Sequence, residues 1–372
     1  MDSGVPVFRS TDVTVLQRSE LNFDGMRPQL DALWYGEMKF KIQDEQYTID
    51  EFLNSGSEGQ TYLITQISTG SRFAAKFCWD QDSKEVKLLK KMPRSLVMHQ
   101  NFLTYEKIVL DVHAHFAPAH HIIIMEHVPN GELFSLLTSQ EAAVVGKPVS
   151  EGSSRRFLHD IINGVAECYM HGISHRDLKP ENMLIDERGN IIIIDLGHAK
   201  HVDTQAQCLD QIPMMPTLAR TSTVNQYGSD AFNAPEVAKG LKYDCELADV
   251  WSVGVIAFLL HARLHPFDDS DGVASFFDCT GTENERFWTK IKSSGYYAAF
   301  PDSLIKFINS LWRYEPSERP TFSQLLGAIR GDEMVLSEFP GLAWLAQPVN
   351  DRKHFIDELR AYCPEKTFRY EG

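Results

Sequence analysis

The stretch HRDLKPENMLIDERGNIIIIDLGHAK, residues 175–200, decides how the rest of the chain is read. Its opening, HRDLKPEN, puts a bare carboxylate (Asp177), two cations (Arg176 and Lys179), a proline and an amide (Asn182) into one short loop. A loop made only to join two elements would favour Gly, Ser and solvent-facing polar residues. NMLID and NIIIID then read as a short hairpin turned at 187–190, and Asp195 follows it. Asp177 and Asp195 are thus carboxylates at loop positions flanking a hairpin, with Asn182 between them. Hard oxygen donors of this kind suit Mg²⁺, which takes one or two protein carboxylates together with phosphate oxygens. Lys179 adds a cation beside Asp177. Orienting a hydroxyl while neutralising phosphate is what phosphoryl transfer requires. Alone, the same residues could be a polar turn around a hairpin, so the flanking sequence must decide.

Upstream, from about Tyr47, the pattern is strand-like: YTIDEFL, TYLITQI and RFAAKFCW, with glycine turns between them. DSKEVKLLKKM reads as a helix opened by Asp82 or Ser83 and ended by Pro93, and two further strands lie in EKIVLDVHAHF and HHIIIMEHV. NSGSEGQTY sets Gly56 and Gly59 in a strand–turn–strand, where backbone N–H groups can approach phosphates. Glycines alone would mean an ordinary hairpin. Here Lys76 follows on the next strand, and Glu85, on the helix after it, is its candidate ion-pair partner. Downstream the chain is helical, in ELFSLL, SSRRFLHDIINGVAECYMHG, DVWSVGVIAFLLHA, DSLIKFINSLW and TFSQLLGAI. A β-rich first third before a helical remainder predicts an α+β protein. Residues 1–44 are mixed in charge and give no clear element, although DALWYGEMKFKI carries enough aromatic surface to pack on the body. No internal repeat is visible.

The chain has 372 residues, 43% of them hydrophobic, with a formal charge of −15. That charge argues against a nucleic-acid or anionic-membrane partner and permits basic ones. Cys78, Cys168, Cys208, Cys245, Cys279 and Cys363 are scattered without a CxxC pair, as expected of reduced thiols. No basic region followed by an apolar run opens the chain. The longest apolar run, within VWSVGVIAFLLHA, is too short to span a bilayer and reads as a buried helix. A soluble intracellular protein, cytoplasmic or nuclear and without a membrane span, is expected.

In this order the motifs resemble those of eukaryotic-type protein kinases, over residues 47–331. APE at 234–236, DVWSVG at 249–254 and Arg319 in SERP complete the series. Lys179, and Ser229 in GSDAFNAPE, resemble the serine/threonine branch. The resemblance implies a bilobal fold with a small β-rich N-lobe (45–127) and a large, mainly helical C-lobe (128–331), between an N-terminal extension (1–44) and a C-terminal tail (332–372). It implies ATP and Mg²⁺ as cofactors. Asp177 would be the base, Lys179 would touch the transferred phosphate, and Asn182 and Asp195 would hold Mg²⁺. Lys76, paired with Glu85, would hold the α- and β-phosphates, covered by Asn54, Gly56 and Gly59. Thr61, Ala74 and Leu184 would join the nucleotide site, Met125 would be its gatekeeper, the backbone of Glu126 and Val128 would face adenine, and Glu132 would lie near the ribose. Arg319 would form a buried pair with Glu236. Partners would be protein substrates, with Glu132 and Glu181 favouring basic target sites. Arg176 beside the base resembles kinases switched by an upstream activating kinase, which makes Thr221, Ser222 and Thr223 candidate phosphosites.

Several residues depart from the family pattern. Asn54 replaces the first loop glycine, and Glu58 replaces the aromatic tip. An acidic tip near phosphates weakens nucleotide binding unless it points to solvent. DLG stands for DFG, with Leu196 still able to fill an apolar position. Glu85 follows Lys76 closely in sequence, and the segment from Asp195 to Glu236 is long. The competing reading is a pseudokinase scaffold that binds nucleotide without efficient transfer, whose usual mark is loss of the lysine, the base or the metal aspartate; all three stand here. Small-molecule kinases of related fold normally lack APE and the segment before it. His113, His115, His120 and His121 read as solvated edge histidines in preference to a metal site, and Met214 and Met215 as a loop anchor. Phe355, Ile356, Leu359 and Tyr362 share one helical face, expected to pack on the large lobe, with regulatory docking as the alternative.

Overall fold

A computed structural model describes residues 5–17, 39–56, 58–112, 119–138, 149–201, 229–263, 265–266, 282–293 and 300–370. The chain forms two compact units, Met1–Val128 with Asp195–Ala199, and Pro129–Ile194 with Lys200–Gly372.

The first unit is built on strands β1 (Val7–Arg9), β2 (Val13–Gln17), β3 (Lys39–Ile42), β4 (Glu45–Ser55), β5 (Gly59–Gln66), β6 (Arg72–Cys78), β7 (Tyr105–Leu110) and β8 (His121–Glu126). They make one eight-stranded sheet in the order β1-β7-β8-β6-β5-β4-β3-β2. β1 runs parallel to β7, and the other pairs are antiparallel. β1 and β2 thus lie on opposite edges of the sheet, yet only Ser10–Asp12 separates them. Four peptide steps reach at most about 14 Å, whereas a flat sheet of this many strands would be about 34 Å wide. The sheet must therefore curl until its two edges nearly meet. Phe40, Tyr47, Ile49, Tyr62, Ile64, Phe77, Ile122 and Ile124 fill its core. They lie at alternate strand positions, as a one-sided core demands.

Two short helices interrupt this unit, α1 (Lys84–Leu89) and α2 (Arg94–Val97). Of the two candidate caps, Ser83 is the one used, accepting the Val86 N–H at 3.3 Å. The extension is less separate than the sequence implied, because Val7–Gln17 and Lys39–Ile42 complete the sheet. Strands of three to five residues carry too few alternations to be read alone, and their pairing is supplied by partners distant in sequence.

The second unit contains α3 (Leu133–Thr138), α4 (Glu151–Met170), β9 (Ile173–Ser174), β10 (Met183–Ile185), β11 (Ile191–Ile193), β12 (Lys200–His201), α5 (Pro235–Ala238), α6 (Cys245–Ala262), α7 (Thr282–Ser293), α8 (Asp302–Leu311), α9 (Phe322–Ile329), α10 (Glu333–Glu338) and α11 (Arg352–Tyr362). β10 and β11 form the expected hairpin, with Met183 opposite Ile193. α6 corrects the estimate of its apolar run: at 18 residues it has the length and composition to cross a membrane, because Cys245–Ala248 add a turn. It is nevertheless 89% buried inside this unit, as a core helix.

Phe355, Ile356 and Leu359 are fully buried, with the Phe355 ring edge-on to Phe157 at 5.2 Å. At Gly189, whose φ is +76°, an added Cβ would come within 2.7 Å of Phe355 and 2.9 Å of Leu359. The segment 332–372, set apart in the sequence reading, therefore belongs to the body of the second unit. Its apolar helix face has nowhere else to be buried.

Candidate active site

In the first unit, β6 carries Lys76 opposite Thr61 and places Ala74 opposite Met125. The glycine loop above it closes on a Gly56 N–H to Gly59 carbonyl bond of 2.9 Å, and the Asn54 side chain accepts the Ser55 N–H at 2.7 Å. Gly59 has no substitute, since an added Cβ would strike the Phe77 carbonyl. At the end of β8, the Glu126 N–H donates to the Thr104 carbonyl at 2.9 Å and its carboxylate accepts the Thr104 N–H at 2.8 Å. The N–H and the carboxylate of Glu126 are thus committed within the unit. Val128, two residues on, is buried.

Lys76 is the centre of charge. Its ammonium lies 2.6 Å from Glu85 Oε2, 3.3 Å from Asp195 Oδ1 and 4.0 Å from Glu58 Oε2. Glu85, in the first turn of α1, is 2% exposed, so the short sequence distance is met by starting the helix directly after β6 and its turn. Asp195 has a φ of +63°, and its Oδ1 also accepts the Gly197 N–H at 3.1 Å. Burial by itself pushes the Lys76 ammonium toward losing its proton. The carboxylates of Glu85 and Asp195 more than reverse this, leaving it well above an ordinary lysine. Burial likewise pushes Glu85 up while Lys76 pulls it down. With several carboxylates facing one ammonium, the lysine remains charged.

In the second unit, buried Asp249 on α6 organises the HRD loop. It accepts from the Tyr169 hydroxyl (2.9 Å), the Ser174 hydroxyl (3.2 Å), the His175 N–H (3.1 Å) and the Arg176 N–H (3.0 Å). Burial raises its pKa, and these donors and His175 oppose the rise. His175 joins the loop to the hairpin: Nε2 lies 3.0 Å from the Ile194 carbonyl, and Nδ1 accepts the Asp177 N–H at 3.3 Å. Those two partners put the ring proton on Nε2.

The Asp177 side chain then accepts from Lys179 Nζ (2.8 Å) and Asn182 Nδ2 (2.9 Å) through Oδ2. Asn182 also donates to the Asp177 carbonyl at 2.8 Å. Arg176, with φ +66°, donates to the Tyr243 hydroxyl at 3.1 Å. Glu132 and Leu184 are bridged across their backbones. Burial raises the Glu132 carboxyl, opposed by Lys179 and by Lys366 from the C-terminal segment, and burial raises Glu181 as well. Arg319 grips Glu236 with two hydrogen bonds of 2.6 and 2.8 Å.

Tyr169, Tyr243 and Lys366 were not singled out in the sequence; nothing in their local pattern distinguishes them. His121 corrects its reading as a solvated histidine. It is 5% exposed, with one ring nitrogen 2.9 Å from the Gln81 carbonyl and the other accepting the Asp111 N–H at 3.3 Å. Thr221, Ser222 and Thr223 lie outside the described residues, as do His113, His115, Met214 and Met215.

A curled sheet bearing a buried lysine–glutamate pair, and a helical unit bearing an HRD loop, define a class of phosphotransferase. The family model described as the protein kinase domain matches residues 47–328, and the chain belongs to this family. CBL-interacting protein kinase 11 of Oryza sativa subsp. japonica is 32% identical over 228 residues, 60% of this chain and 41% of the rice protein. CBL-interacting serine/threonine-protein kinase 15 of Arabidopsis thaliana is 33% identical over 236 residues, 63% of this chain and 51% of the relative. The chain spans about half the length of the curated relatives it matches.

Proposed function

We propose that this protein transfers the γ-phosphate of ATP to serine or threonine hydroxyls of protein substrates. The observation that carries the reading is the Asp177 carboxylate, fixed by Lys179 and Asn182 in a loop that Asp249 holds through its amides. In this reading Asp177 accepts the proton of the substrate hydroxyl as its oxygen bonds to the γ-phosphorus and ADP leaves. Lys179, at Asp177, offsets charge on the transferred group. Lys76 holds the α- and β-phosphates, and Glu85 keeps its ammonium aimed.

The donor chemistry fits Mg²⁺: Asp195 offers carboxylate oxygen, and Asn182, its amide nitrogen spent on Asp177, offers amide oxygen. When bound, the ion neutralises phosphate charge. Glu132 and Glu181, partly buried carboxylates near the base, support a preference for basic residues around the target hydroxyl. A position-scanning peptide array without an arginine or lysine preference would reject that part.

The transfer itself is tested with radiolabelled ATP, Mg²⁺ and a basic protein substrate, comparing wild type with Asp177→Asn and Asp195→Ala. Label on Ser or Thr that falls roughly a hundred- to ten-thousandfold in Asp177→Asn is expected. Transfer that survives both substitutions would sink the reading.

A further inference from the structure

We infer that Glu58 is a built-in competitor for Lys76: its carboxylate holds the place at the ammonium that a nucleotide phosphate must take, so metal-free nucleotide is refused and the metal complex admitted. This rests on the nucleotide-binding reading above.

The glycine loop turns its acidic tip inward. The Glu58 carbonyl is pinned by the Trp79 N–H at 3.0 Å, and Glu58 Oε2 reaches within 4.0 Å of Lys76 Nζ. That oxygen is buried and accepts no hydrogen bond among the described residues. It rests on Gly197 of DLG, where an added Cβ would lie 2.6 Å from Oε2 and 2.9 Å from the carboxyl carbon. A buried carboxylate oxygen without a donor is costly, so its attraction to Lys76 is what keeps it there.

The same geometry says which carboxylate yields. Oxygens of Glu58, Glu85 and Asp195 lie within 4.8 Å of one another around a single ammonium. Glu85 is buried at 2.6 Å, and Asp195 at 3.3 Å is also held by the Gly197 amide. Glu58, at 4.0 Å and on a turn, is the loosest. Three carboxyl groups thus converge on one lysine, so acidic groups outnumber the basic one at this point. Polyphosphate arriving without a cation brings its full negative charge against these acids; a divalent cation cancels part of that charge, and the metal complex displaces Glu58, the carboxylate held least tightly.

Isothermal titration of ATP into the full chain decides this, in excess Mg²⁺ and again in EDTA, for wild type, Glu58→Gln, Glu58→Ala and Lys76→Met. Both Glu58 variants should bind metal-free ATP about tenfold tighter than wild type, a modest fraction of the Coulomb term at this distance. Their gain for Mg²⁺–ATP should be less than about threefold, because the cation already offsets the charge. Binding in Mg²⁺ by the Glu58 variants alone would overturn the inference, because the wild type would then refuse the metal complex as well. Unchanged metal-free affinity would overturn it. So would weaker Mg²⁺–ATP binding in the Glu58 variants, which would make this carboxylate a metal donor. If Lys76→Met abolishes binding while both Glu58 variants match wild type, the inference falls and the nucleotide reading stands. If wild type and the Glu58 variants all fail to bind in either condition, both fall.

Discussion

Arg319 and Glu236 stand 83 residues apart and meet as a fork, Nη1 donating to Oε1 and Nη2 to Oε2. They are 2% and 7% exposed, and the guanidinium also lies 5.1 Å from the Trp251 ring. Removing one member leaves an uncompensated buried charge, which costs about 3–5 kcal/mol. Arg319→Ala should therefore lower the urea midpoint sharply. Arg319→Lys should recover only part of the loss, because a lysine offers no bidentate fork. Equal midpoints for wild type and Arg319→Ala would refute the assignment. His265 makes a second residue-scale case. Burial lowers its pKa to about 4, against a backbone bond to Ala231 that raises it. The unfolded chain then binds this proton more readily than the folded one, so stability is full above about pH 6.5. It declines as pH falls from there toward 4, by on the order of 2–3 kcal/mol. Urea titrations of wild type and His265→Phe should diverge in slope across that window and run parallel above pH 7.

At the scale of elements, α11 is an integral helix of its unit. Its face carries Phe355, Ile356 and Leu359, all fully buried. On the next face Glu358 accepts from the Ser150 N–H (2.6 Å) and hydroxyl (2.7 Å), at the N-terminal cap of α4. Phe355→Ala should cost about 3–5 kcal/mol, as for other buried aromatics. A thermal midpoint within a degree or two of wild type would show that the helix is not part of the cooperative unit. This helix was legible because its apolar residues fall at helical spacing. The β10–β11 hairpin was legible because two apolar runs flank a polar turn, and β4–β8 because glycines and alternation bound them. Other features leave no such trace. The motif around Asp249 can be seen, but not that one carboxylate collects four donors from α4, β9 and the HRD loop. The acidic tip at Glu58 can be seen as well, yet whether it faces solvent or Lys76 depends on the close approach that Gly197 allows. Those are facts of three-dimensional proximity, which spacing along the chain does not encode.

For the molecule as a whole, the curl of the first unit decides how its edges are protected. β7 and β3 would be the edges of a sheet made only of Lys39–Ile42 and the strands after it, and each would present unpaired main-chain groups. β1 covers one and β2 the other, with Arg9 N–H donating to the Asp12 side chain at 2.9 Å and the Gln43 N–H to the Asp12 carbonyl at 2.7 Å across the junction. Val13, 4% exposed, joins the core directly. Deleting residues 1–17 should therefore expose two edges at once and invite edge-to-edge association. Hydrogen exchange gives the sharper reading, because protection follows local stability. Amides of Lys39–Ile42 and Tyr105–Leu110 should exchange much faster in the truncated protein, while those of Glu151–Met170, in the other unit, keep their protection. If both edge strands stayed as protected as in the full chain, the N-terminal strands would be ornaments on a sheet complete without them. Loss of protection throughout Glu151–Met170 would instead mean that the two units unfold as one.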